Sequence, residues 1–175
     1  MTKEINLALP EFLNTIEQSS ISTWIRESDS LFSFYFILLL HTFGLALLVG
    51  VNTLVDLRIL GFGSKLTLKP LKPLFGVMWT GFWINATTGV LLLTAYPTKA
   101  LTNPVFYVKL SLVALGVITM QKINTQVFDA NLSEAAMIEK GKAMAVMSLI
   151  FWAGTITAGR LLAYTYTYIT YGRQG

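Results

Sequence analysis

One histidine, two basic residues and one amide stand inside stretches that are otherwise apolar, and these are the side chains able to do chemistry. His41 is the sole histidine of the chain. A neutral imidazole can ligate iron or copper, or hydrogen-bond to a neighbouring helix. Lys109 and Arg160 each interrupt an apolar run, and Asn85 sits in the middle of another. A Lys or Arg at mid-membrane costs at least roughly 2.5–3.5 kcal/mol on insertion scales, so it meets a partner, lines a cavity or snorkels outward. His41, Lys109, Arg160 and Asn85 are therefore the candidate cofactor-binding residues, and His41 is the one candidate metal ligand. The two cations suit haem propionates or another anion, and Asn85 either bonds a neighbouring helix or orients a ligand. Gly44, nearly one turn from His41, and Asn52, on roughly the same face, predict room for a flat group beside the imidazole.

The elements that must position these residues follow from composition. Of 175 residues, 54% are hydrophobic and 13% charged, against roughly 25% charged in an average soluble protein. Too few charges remain to coat a water-facing surface, so a lipid bilayer is the expected solvent. Four apolar runs are long enough to cross it: Leu31 to Val55, Leu74 to Tyr96, Pro104 to Met120, and Met144 to Tyr168. The first would reach about 37 Å as a helix, enough for a ~30 Å hydrocarbon core with some tilt. The fold class is all-α: a four-transmembrane-helix bundle over residues 31–175, preceded by an interfacial helical arm over residues 1–30. Within that arm, Phe12, Leu13 and Ile16 share helical spacing, and Ser20 is a candidate cap for a second short helix carrying Trp24 and Ile25. Between the third and fourth spans, Gln121 to Lys142 reads as a soluble loop with a helix start at Asn131-Leu132-Ser133-Glu134, capped by Ser133.

Charge placement sets the orientation. Arg58, Lys65, Lys69, Lys72, Lys122, Lys140 and Lys142 fall at one end of the spans, and Lys3, Arg26, Lys99 and Arg173 at the other. Seven against four puts the first set in the cytoplasm and both termini on the periplasmic or extracellular side. Tyr35, Tyr96, Tyr107, Tyr164, Tyr166, Tyr168 and Tyr171 gather at the opposite end, where a phenol ring can keep its hydroxyl in water. The net charge of +4 is spread over short connections and forms no nucleic-acid-binding face. With no cysteine, disulfides and thiolate metal sites are excluded. Residues 1–30 carry Glu4, Glu11, Glu17, Glu27 and Asp29 and no apolar core of a cleavable signal. Asp56 and Arg58 read as a topological stop with weak local pairing.

Small residues mark helix contacts in lipid. Gly81, Asn85 and Gly89 recur every four residues with Thr88 adjacent, and Ala46 with Gly50 and Gly154 with Ala158 form shorter pairs. The chain resembles a bacterial family of four-helix integral membrane proteins of unknown function, itself distantly similar to copper-resistance-D-like membrane proteins. Trp24-Ile25-Arg26-Glu27-Ser28, His41-x-x-Gly44-x-Ala46 through Gly50, and Asp56-Leu57-Arg58-x-x-Gly61 carry the resemblance. Trp83, Asn103-Pro104 with Lys109, and Ala158-Gly159-Arg160-Leu161 extend it over nearly the whole chain. It implies the fold and the weight on His41, and no activity. Relatives of that kind carry a further histidine at the inner end of the third helix, where Met120-Gln121-Lys122-Ile123-Asn124 has none, which argues against a two-histidine haem within one chain. Six scattered methionines and one histidine form no copper cluster.

Three functions fit these observations. One is an accessory or anchoring subunit without catalysis of its own, its small-residue seams set against partner membrane subunits or a second copy. Another is a small electron-transfer subunit with haem b or quinone near His41. The third is a transporter of a small solute or metal. No nucleophile–base pair or carboxylate dyad suggests an enzyme.

Overall fold

The computed structural model describes residues 12–28, 33–130 and 132–171, with side chains to residue 165. Among these residues every regular element is helical. Helix α1 covers residues 12–17, and α2 is Ser20–Glu27. Helix α3 runs Phe34–Ile59, α4 is Leu74–Ala95, α5 is Pro97–Leu101, α6 runs Pro104–Phe128 and α7 is Glu134–Tyr171. Four of them, α3, α4 (with the short turn before it), α6 and α7, are long and apolar enough to cross a membrane. The four-helix bundle expected from the apolar runs is present. The two ends of this bundle are called here the tyrosine end and the basic end.

Two span boundaries differ from the hydropathy reading. Helix α6 does not stop at Met120 but continues to Ile123 and through a π turn, Asn124–Phe128. The helix start at Ser133 is real: its hydroxyl accepts from the Ala136 amide at 3.4 Å. However, it opens the fourth span itself rather than a helix within a loop. The predicted soluble connection thus shrinks to a few residues, because Gln121, Lys122, Lys140 and Lys142 are polar enough to leave lipid yet remain good helix formers. At about 1.5 Å per residue, α7 is about 57 Å long and stands well clear of a ~30 Å core.

Helix α3 contains a second π turn, Ala46–Gly50. Such a turn inserts extra residues per winding and rotates everything beyond it. Past the turn, Asn52, Val55, Asp56 and Ile59 face inward.

In lipid the packing of small residues replaces the hydrophobic drive between helices, and glycines do this here. A Cβ on Gly81 would lie 2.7 Å from Leu48 N and 2.8 Å from Gly44 O. One on Gly44 would lie 2.7 Å from Asn85 N. So α3 and α4 touch backbone to backbone at Gly44 and Gly81. Gly116 similarly admits the Trp152 ring, Gly141 admits Ile59 and Gly154 admits Leu112. The Gly81–Asn85–Gly89 seam is where the sequence puts it, but its counterpart on α3 is Gly44. Ala46 and Gly50 are exposed, and Gly50 has nothing within 4 Å of a added Cβ.

The main core lies in the basic half of the bundle and contains Leu48, Val55, Ile59, Met78, Met120, Ile123, Val127, Met137 and Trp152. At the tyrosine end a small cluster of Ile25, Ile37 and Ala95 holds α2 across the end of α4. Ser19, one residue before the expected Ser20, caps α2 by accepting from Ser22 N at 3.3 Å. The Arg26 guanidinium donates to Ala95 O at 3.0 Å and to Ser22 Oγ at 2.8 Å, occupying the carbonyl end of α4. Between the two clusters the helices leave a gap.

Candidate functional site

That gap is a partly open pocket of about 310 Å³, lined by His41 and Leu38 of α3, Gly89, Leu92 and Tyr96 around the end of α4, Lys99, Phe106 and Lys109, and Gly159 and Leu162 of α7. Its walls are mostly apolar and its polar groups few, which is the usual make-up of a small-molecule site. It is present because the tyrosine half of the bundle lacks the large interlocking side chains of the main core.

His41 is held by α4. Its Nδ1 lies 3.0 Å from Asn85 O and 3.1 Å from Thr88 Oγ1. The Thr88 hydroxyl in turn sits 2.6 Å from Ile84 O, so its one proton points there. Both neighbours of Nδ1 are then acceptors, and Nδ1 must carry the hydrogen. A neutral His41 therefore presents an unprotonated Nε2, which has no hydrogen bond among the described residues. Fixing one ring nitrogen on a backbone carbonyl so that the other can serve a ligand is the arrangement seen around ligating histidines.

Asn85 positions this ring. Its amide Nδ2 donates to the His41 carbonyl at 2.7 Å, so α3 and α4 bond reciprocally at this level. Gly89 supplies the space, since a Cβ there would press on His41 Cε1 at 3.2 Å. Asn85 does not itself line the pocket; of its two expected roles it takes the interhelical one, and it orients the histidine.

Lys109 reaches the same pocket from α6. It is partly buried, and Gly159 leaves room for its stem, with Lys109 Cε 3.8 Å from where a Cβ would stand. Lys109 has no hydrogen bond or ion pair among the described residues, whereas Lys99 lies over the Tyr96 ring at 6.0 Å. Arg160 is not brought to this site. It is exposed on α7, turned away from the pocket that its neighbour Gly159 lines. The room beside the imidazole also has a different origin from the one expected: Gly44 is filled by the α4 backbone, and Gly89 and Gly159 open the space instead. Thr88, three residues from Asn85, could have been found from that spacing. Tyr96, Lys99 and Gly159 had no signal that tied them to His41.

The site offers a lone-pair acceptor, a cation and apolar walls. Among the described residues no three His, Asp or Glu side chains come together as a metal site, so His41 could serve a metal only as a lone protein ligand.

Comparison with known proteins adds no likeness: no family model matches the chain, and neither a curated protein nor a solved structure does. The resemblance noted in the sequence therefore rests on its motifs alone.

Proposed function

We propose that this chain is a membrane subunit that binds a lipophilic ligand with a small polar ring, of the quinone or quinol type, between His41 and Lys109. The observation that carries this reading is the fixed His41 tautomer, with Nε2 left unbonded in a pocket that Lys109 also lines. A quinol hydroxyl can donate to Nε2 while the ammonium donates to an oxygen of the ring. The apolar walls suit a lipid-soluble tail.

Size favours a quinone ring over haem b. About 310 Å³ is at the low end of roughly 300–1,000 Å³ for ligand sites, and no second histidine exists to complete an axial pair. The anchoring-subunit reading relied on small-residue seams free for partners. Of these seams Gly81 and Gly154 are used inside the bundle, whereas Ala46 and Gly50 remain exposed. We assign the basic end to the cytoplasm of a bacterial inner membrane, with both termini periplasmic, on the distribution of Lys and Arg. His41 and Lys109 then lie in the outer half of the bilayer.

The test is binding of a short-chain ubiquinone to the detergent-purified protein by calorimetry, together with extraction of co-purified quinones. His41→Ala should raise Kd about 3–10-fold, the loss of one hydrogen bond of roughly 0.5–1.5 kcal/mol. Arg160→Met should leave Kd unchanged. Equal binding by His41→Ala, or none by the wild type, refutes the assignment. A haem absorption band in the purified protein would replace quinone with haem.

A further inference from the structure

A second polar group lies far from this pocket, near the basic end of α3, and plays no part in the reading above. Asp56 is fully buried, with 0% of its surface exposed. Arg58, two residues on, does not neutralise it. The Arg58 guanidinium instead binds Glu134 at 2.5 Å and the carbonyl of Leu66. The expected local pairing of Asp56 with Arg58 is absent, because two residues of helix separation point the side chains in different directions.

Asp56 turns to neutral groups. Asn52, one turn earlier, places its amide 2.5 Å from Asp56 Oδ2 and 2.7 Å from Ser148 Oγ of α7. Asn52 is 2% exposed and Ser148 0%. The second carboxylate oxygen, Oδ1, is buried with no partner at all among the described residues. A buried carboxylate with an open oxygen and no facing cation is among the costliest arrangements a bundle can hold.

Among the described residues no charged side chain of the packed helices is free to pair with it. Helix α4 has none between Leu74 and Ala95. On α7, Glu134 is taken by Arg58, and Glu139, Lys140 and Lys142 are exposed. On α6, Lys122 is exposed. The carboxylate, the Asn52 amide and the Ser148 hydroxyl are all hard ligands. Turning the Asn52 amide, whose oxygen and nitrogen are interchangeable in shape, brings a carbonyl oxygen to Asp56 Oδ2 and Ser148 Oγ, oxygen–oxygen contacts that are favourable only with a cation among them. One negative charge set among neutral oxygens matches a single positive charge, and no further carboxylate joins it to suit a divalent ion.

We propose that Asp56, Asn52 and Ser148 form a buried binding site for a small monovalent metal cation of the sodium class. The ion would enter from the basic end, since Asp56 lies only three residues, about 5 Å, from the end of α3 at Ile59. It supplies the positive charge that the buried Asp56 carboxylate lacks and joins α3 to α7.

The test is unfolding of the purified wild type in detergent at constant pH and ionic strength, with sodium chloride exchanged for choline chloride, alongside binding of radioactive sodium. Well above half-saturation, each tenfold rise in sodium should shift the folding equilibrium about tenfold toward the folded state. Asp56→Asn keeps the size of the side chain and should show neither the sodium response nor saturable binding. Ser148→Ala retains the carboxylate and should move the response to higher sodium, which keeps the test decisive if Asp56→Asn does not fold. Equal wild-type stability in sodium and choline, without saturable sodium binding, overturns the site. A sodium response that survives in a folded Asp56→Asn variant, or in Ser148→Ala unchanged, places the ion elsewhere and overturns it too.

Discussion

Replacing Gly81 with alanine adds one methyl group, and the structure gives it nowhere to go. The new Cβ would lie 2.7 Å from Leu48 N, 2.8 Å from Gly44 O and 2.9 Å from Leu47 Cβ. Ordinary contact begins at 3.4 Å, so α3 and α4 must separate by about 0.7 Å locally. A radial gap of about 0.5–1 Å forfeits a quarter to a half of the dispersion energy of each contact it opens. Two of the three obstructing atoms are backbone, so no side-chain rotation relieves the clash. Overpacking of this kind costs about 1–3 kcal/mol, and Gly81→Ala should fall in that range. The paired test is Gly50→Ala and Gly76→Ala, where nothing lies within 4 Å of the added Cβ. Both should be neutral or gain about 0.5–1 kcal/mol from reduced backbone freedom. Equilibrium unfolding in mixed micelles, followed by circular dichroism, measures all three. If Gly81→Ala is as stable as Gly50→Ala, the helices do not meet backbone to backbone, and the reciprocal bonds of His41 and Asn85 lose their support.

Asn103 caps α6 by accepting from Val105 N at 3.0 Å and donates to Thr165 Oγ1 at 2.9 Å; Asn103→Ala should cost about 1–2 kcal/mol in the same unfolding assay. Arg58→Ala removes the tie between the α3–α4 connection and Glu134, and limited proteolysis near Lys65 should then accelerate, while Lys72→Ala, which breaks an exposed pair with Asp129, should change it little. A reporter fused after Gly175 should behave as periplasmic, and one between Lys65 and Lys72 as cytoplasmic; the reverse pattern would invert the orientation.

The number of spans was legible because lipid demands long apolar helices and little else explains four such runs. The α4 seam was legible for a similar reason: Gly81, Asn85 and Gly89 repeat at the helical period, and small residues in a membrane helix mark a contact. The matching face of α3 was not. The π turn at Ala46–Gly50 shifts the register inside the helix, so a regular wheel selects Ala46 and Gly50, whereas the contact uses Gly44. Arg160 shows a second limit. Its depth could be counted along the helix, but its direction around the helix axis depends on which face of α7 packs, and it faces outward. Lys109 was as ambiguous and turned inward. Asp56 shows the third, since its partner Ser148 is held through Asn52 across 96 residues of sequence, and no local pattern marks such a pairing. Helix ends slipped because hydropathy reports where lipid stops, while helix continues through polar residues of good propensity.

The two polar sites share α3 but not a path, and this bears on transport. His41 and Asp56 are separated by fifteen positions along the helix, about 22 Å. The stretch between them holds the backbone contact of Gly44 against Gly81 and Asn85. Below it Leu48, Met78, Met120 and Trp152 are each at most 1% exposed and pack as one apolar core. An ion leaving Asp56 toward the tyrosine end would meet that core with only the hydroxyls of Thr119 and Thr155 to replace its ligands, a desolvation cost of several kcal/mol. We therefore expect proteoliposomes containing the wild-type protein to show no sodium flux above empty vesicles, even where sodium stabilises the fold. Large-to-small variants such as Met78→Ala should lower stability by about 2–5 kcal/mol without opening a route, because the backbone contact above remains closed. Sodium flux through the wild type that disappears in Asp56→Asn would show that the α3–α4 contact opens, and a transporter would then replace the binding subunit described here.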